Sequence, residues 1–85
     1  MQSSLDRAVR AAEALRAVRT VDFVPEIQRI QQLWTQWVEA ECELESGAIM
    51  GSAGAFEIHI CHREQDEIRQ RSLDDLSSQL ESIAR

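Results

Sequence analysis

The stretch from Pro25 to Leu44, PEIQRIQQLWTQWVEAECEL, decides how this chain folds. Within it Ile27, Ile30, Trp34, Trp37, Glu41 and Leu44 follow one another at alternating steps of three and four. That spacing returns a side chain to one face of an α-helix at every turn, so the apolar groups form a seam. The pattern is heptad-like, with a single charged interruption at Glu41. Leu33 and Val38 widen the stripe beyond what one partner helix covers, which predicts a helix touching two neighbours. Pro25 suits the first helical position, where its fixed φ fits and its missing N–H is not needed. Val24, because it precedes a proline, is expected to be extended and to end the preceding connection.

Working outward to the N-terminus, the spacing predicts a helix over roughly Ser4 to Arg19. Leu5, Ala8, Val9, Ala12, Leu15 and Val18 recur at helical intervals, and Ser3-Ser4 followed by Asp6 reads as a capping start. A mostly alanine face approaches another helix closely but buries less area than a leucine face. Working outward to the C-terminus, all three glycines fall between Gly47 and Gly54 in the run GAIMGSAG. This is the expected turn of a helical hairpin, centred between Gly51 and Ser52. A second reading makes Ala48 to Met50 and Phe56 to Ile60 short strands, since Phe56, Ile58 and Ile60 alternate with polar residues.

Ala55 to Ala84 reads as one helix about 45 Å long. Ile58, Cys61, Gln65 and Ile68 form one stripe; Leu73, Leu76, Leu80 and Ile83 form another, displaced by about one residue near Arg69 to Ser72. Either the helix carries a stutter there, or Ser72 with Asp75 caps a separate last helix. The expected fold is therefore all-α. It is a single domain over residues 1–85, with helices at about 4–19, 25–46 and 55–84. We expect a helical hairpin with an additional N-terminal helix, a three-helix bundle, completed by dimerisation. The minor alternative is an α+β fold with a short hairpin near residues 48–60.

Composition agrees with that class. At 85 residues there is room for one domain, and a chain of this size buries only ~60% of the surface its unfolded form exposes. Tyrosine is absent and the helix formers Ala, Leu, Gln, Glu and Arg abound. The net charge of −6 is uneven: residues 1–20 carry +2 and the remainder −8. An acidic body repels phosphate backbones, so no nucleic acid is expected as partner. No run of apolar residues is long enough for a membrane span, and no secretory leader is visible at the N-terminus. A cytoplasmic setting is the default expectation. Every cationic side chain is arginine, a composition expected of a GC-rich bacterial or phage genome.

Few constellations carry chemistry. Cys42 and Cys61 are equidistant from the expected turn and would lie opposite one another, within bridging range if their Cα atoms come within ~7 Å. The default reading is two buried reduced thiols acting as small hydrophobes; a disulfide is the alternative, favoured in an oxidising compartment. His59, Cys61 and His62 look like a fragment of a metal site, with Cys42 as a fourth candidate. The spacing lacks the paired ligands that zinc sites use, and neither histidine follows a glutamate by three residues. No nucleophile elbow, phosphate loop or dinucleotide fingerprint is present. We therefore expect no enzyme, no cofactor and no metal.

The expected function is a non-enzymatic protein–protein interaction module: an adaptor, a chaperone or a small inhibitor of a partner protein. Its partner-binding residues would be Ile27, Ile30, Trp34, Trp37, Leu73, Leu76, Leu80 and Ile83, meeting another protein or a second copy. The alternative is a metal- or redox-responsive regulator using Cys42, Cys61, His59 and His62. A third reading is a DNA-binding regulator using the basic first helix.

Overall fold

The computed structural model describes residues 1–49 and 54–85, which hold three α-helices and no strand. Helix α1 spans Gln2–Arg19, α2 spans Val24–Glu43 and α3 spans Gly54–Ala84, with a π-helical segment at Leu44–Ile49. The all-α three-helix arrangement read from the periodicities is thus the observed one, with α1 packed on α3. The short-hairpin alternative is overturned: Ala48 and Ile49 are π-helical and residues 54–60 are the first turns of α3. The expected turn between Gly51 and Ser52 lies outside the described residues.

Contacts fix the helix directions. Ile27, Gln31 and Cys42 of α2 meet Leu80, Arg69 and Cys61 of α3, so the numbers fall on one helix as they rise on the other. These two helices are antiparallel. Arg7 of α1 reaches Asp74, Ser78 and Glu81, and Leu15 lies by Ile83, so α1 runs parallel to α3. The three helices form a rod of 53 × 17 × 14 Å.

The main core is small-sided, as the alanine face of α1 dictates. Ala8, Ala11, Ala12 and Leu15 are buried with Ile27, Leu73 and Leu80. Ser77 is fully buried among them, which its size permits, and its hydroxyl donates to the Leu73 carbonyl at 2.8 Å. That internal bond satisfies the hydroxyl and removes the penalty for burying it. A second, smaller core holds Val38, Cys42 and Cys61, with Trp34 and Ile58 against it. Between the two cores lies a polar layer in which Arg69 Nε donates to Gln31 Oε1 at 3.0 Å.

This division explains the displaced stripe. α3 is one continuous helix, so the separate capped helix at Ser72 is excluded. Its first half faces α2 through Ile58 and Cys61, and its second half faces α1 through Leu73, Ser77 and Leu80. A helix that changes its principal neighbour halfway must rotate its apolar stripe, and the shift near Arg69 to Ser72 records that change.

Two terminal signals differ from expectation. α1 starts at Gln2 with Met1 as its uncapped N-terminal neighbour, which puts Ser3 and Ser4 inside the first turn. α2 starts at Val24, one residue before the proline, because the Asp22 carboxylate accepts the Val24 N–H at 3.1 Å and caps the helix from outside. Asp22 also lies 3.5 Å from Arg16, which ties the end of α1 to the start of α2. Thr20 closes α1 in the left-handed region, φ 57°, with its N–H bonded to the Arg16 carbonyl. A β-branched residue is strained there, where glycine is the usual occupant.

Candidate functional site

The outer side of α2 carries the least expected surface in the molecule. Ile30, Leu33, Trp37 and Leu44 are 45, 52, 52 and 56% exposed, and Ala40 between them is exposed as well. These positions advance by three, four, three and four residues, so they share a face of the helix. The inward positions Ile27, Val38 and Cys42 are buried against α1 and α3. The apolar arc of α2 is therefore wider than its contacts inside the chain require. Ile30 also lines an apolar groove with Phe23, Ile27, Leu76 and Leu80. Leu76 continues to the exposed Ile68 of α3 in the adjoining depression.

The expected partner-binding residues separate into three sets. Ile27, Leu73 and Leu80 are buried inside the chain, packed with the alanine face of α1. Trp34 and Leu76 are half-buried, Trp34 beside the cysteines. Ile30, Trp37 and Ile83 are exposed. Leu33 and Leu44 belong with Ile30 and Trp37. The signal for them was in the sequence: the seam at 30, 33, 37, 40 and 44 is a second heptad register offset from the first.

Cys42 and Cys61 form a disulfide, with Cα atoms 5.7 Å apart, and among the described residues no free cysteine occurs. The default reading of reduced thiols is corrected by the register of the hairpin, which sets both residues on the facing sides of α2 and α3. The Glu45 carboxylate lies 3.4 Å from Cys61 Sγ. A bridged sulfur has no proton to give, so this contact becomes a hydrogen bond only when the pair is reduced. His59 is exposed and His62 half-buried. Bridged sulfurs are not thiolate ligands, and among the described residues no cluster of three or more metal-binding side chains occurs. The four candidates for a metal site are not assembled into one.

A charged network joins α1 and α3. Arg7 donates from Nε and Nη2 to both Glu81 carboxylate oxygens at 3.1 Å, and from Nη2 to Ser78 Oγ at 3.3 Å. The hydrogen bonds from Arg7 hold the Glu81 carboxyl below its ordinary value, and the same bonds push Arg7 up. Burial lowers Arg69, which packs in the polar layer between the two cores. These groups orient helices; none of them lines the exposed α2 face. Among the described residues, no helix is long and apolar enough to cross a membrane.

Comparison of the chain with protein-family models, with curated proteins and with solved structures finds no match in any of the three.

Proposed function

We propose that this protein is a non-enzymatic interaction module that docks another protein on the outer face of α2. The observation that carries this reading is the exposed, helically spaced row Ile30, Leu33, Trp37 and Leu44 on a chain of only 85 residues. Contiguous apolar surface of this kind marks contact sites, and tryptophan supplies a large share of the binding energy at such sites. A partner offering an amphipathic helix would lay its apolar face along this row, as helix-in-groove recognition does. An adaptor, chaperone or small inhibitor would use the face in the same way. The partner is taken to be a protein, with neither nucleic acid nor membrane required.

The test compares immobilised wild-type protein with the Leu33→Glu/Trp37→Glu variant, whose helicity is checked by circular dichroism. Proteins retained by the wild type are purified and their affinities for both forms measured by calorimetry. Loss of binding in a folded variant supports the face; equal affinity for both forms counts against it.

A second reading is favoured by the bridge itself. Cys42–Cys61 ties the two helices at the end of the rod that α1 does not reach, so a redox-responsive regulator would act by loosening α2 on reduction. In the cytoplasmic setting we propose, such a bridge is a cycled pair rather than a permanent one. Titrating the thiols of protein extracted under acid trapping tests this: a pair that never changes state with cellular redox conditions removes the reading. The DNA-binding alternative would rest on Arg10, Arg16 and Arg19 of α1 and predicts salt-dependent retention on DNA.

A further inference from the structure

We propose that the occupant of the α2 face is a second copy of this chain, docked antiparallel so that Arg29 of each copy faces Glu43 of the other. This deepens the docking reading above and rests on it. Three independent features of the molecule support the second copy and its direction.

The first is spacing. Ile30, Leu33, Trp37, Ala40 and Leu44 alternate by three and four, the interval at which two helices interlock along a common seam. An antiparallel two-fold pairing sets Ile30 against Ala40 of the second copy and Leu33 against its Trp37. Each contact then occurs twice, as the self-complementary surface of a two-fold dimer requires. Bulk meets small side chain in one layer, and an aliphatic group meets an aromatic one in the next.

The second is area. A compact monomer of 9.7 kDa is expected to expose about 5,100 Å². This chain exposes 5771 Å² as a rod 53 Å long. The excess of roughly 650 Å² is close to the ~800 Å² that each partner contributes to a stable interface.

The third is charge, and it chooses the direction. The far end of α2 and the segment after it carry Glu39, Glu41, Glu43 and Glu45 with no basic residue among them. The near end carries Arg29 with Glu26 and lies by Arg16 and Arg19 at the end of α1, Arg16 being paired with Asp22, so its balance is one positive charge. A parallel pair would crowd eight carboxylates together. An antiparallel pair separates the two acidic groups by most of a helix about 30 Å long, well beyond the ~8 Å screening length at physiological salt. It also sets each acidic group toward the Arg29 end of the other copy. Among the described residues Arg29 bonds only to Glu26, at 3.1 Å and with both side chains exposed. Such a pair is weak, and the guanidinium fork retains donors for a second carboxylate.

Sedimentation equilibrium from about 1 to 500 μM tests the proposal on the wild type, Arg29→Glu, Glu43→Arg and the doubly reversed variant. All are made in a Trp34→Phe background so that emission reports Trp37 alone, and circular dichroism confirms that the surface charge changes leave the fold intact. The expected result is a dimer that each single reversal weakens by roughly tenfold, because two symmetric pairs turn from attraction to repulsion. The double reversal restores the affinity, and Trp37 becomes protected from acrylamide as the dimer forms. A dimer that the double reversal fails to restore overturns the antiparallel register. A monomer at every concentration overturns the second copy. If Trp37 in that monomer is freely quenched, the face remains open to a different protein; if Trp37 is shielded, the docking reading falls with it.

Discussion

Reducing Cys42–Cys61 should unfold one end of the rod well before the other. The bridge closes a loop between residues 19 apart in sequence. The chain-entropy treatment assigns about 3 kcal/mol to closing a loop of this length. A domain of this size has a total stability of roughly 4–13 kcal/mol, so the bridge supplies a substantial part of it. Among the described residues, the buried groups at the hairpin end are Val38, Cys42 and Cys61, with Trp34 and Ile58 at their edge, so the packing described there adds little compensation. At about 4–8 °C per kcal/mol for a small domain, the midpoint of thermal unfolding should fall by roughly 12–25 °C. The measurement is a circular dichroism melt with and without a phosphine reductant, after thiol titration has shown no free thiol before reduction and two after it. Hydrogen exchange on the reduced protein should show residues 34–43 and 58–68 losing protection while 8–15 and 73–80 keep it. Two free thiols in the unreduced protein would refute the reasoning at its base. A midpoint that moves by less than ~3 °C on complete reduction would refute the magnitude.

Three further outcomes follow from the other end of the rod. Leu73→Ala opens a cavity beside Ala8 and Ala12 in the fully covered core and should cost about 2–5 kcal/mol in urea unfolding; a loss under ~1 kcal/mol would show that α1 closes onto the gap. Thr20→Gly relieves the left-handed strain at the end of α1 and should gain up to about 1 kcal/mol after the added freedom of the unfolded chain is subtracted; a lower melting point would mean that the hydroxyl bond to the Arg19 carbonyl matters more. Glu81 has its folded-state pKa depressed below the ordinary 4.5 by Arg7, so its contribution is present above that pH and is lost as pH falls through the folded value. Glu81→Gln should therefore flatten the acid side of the stability profile below about pH 5, and an unchanged slope there would show that the Arg7 contact contributes nothing in solution.

How much of this was legible in the sequence depends on which residues carry the signal. Helix existence was legible because Ile27, Ile30, Trp34 and Trp37 recur at a period that only a helix satisfies. The antiparallel pairing of α2 with α3 was legible too, as the expected hairpin; which faces α1 covers was not. The row Leu73, Leu76, Leu80 and Ile83 reads as one face awaiting one partner, yet Leu73 and Leu80 are buried and Ile83 is exposed. The difference lies in Ala8 and Ala12, whose small side chains give a weak apolar signal but let α1 approach closely enough to cover the leucines. The capping start at Ser3-Ser4 failed because a short polar side chain near a helix end competes with the helix simply extending past it. The cysteines were legible as a facing pair from their distances to the turn, but bonding between sulfurs is set by geometry and redox conditions, neither of which a sequence states. The α2 seam contained two overlapping registers, and periodicity alone does not say which faces inward.

The bridge and part of the exposed row share the hairpin end of the rod. α1 begins beside the middle of α3, so the hairpin end has two helices where the other end has three, and two helices bury too little to be stable alone. A covalent tie supplies the missing constraint at that end, where Trp37 and Leu44 of the outer row are also uncovered. If so, the bridge preorganises the docking face, because α2 need not be ordered by the binding event itself. Reduction should then weaken association, with the ordering free energy drawn from the interface, while the α1–α3 end stays folded. Measured by sedimentation at a temperature where circular dichroism shows the reduced chain still helical, the dissociation constant should rise by about tenfold or more, since an ordering cost of ~1.4 kcal/mol suffices for that. An affinity unchanged by reduction would show that α1 and the main core hold α2 in place along its whole length, and that the bridge serves stability alone.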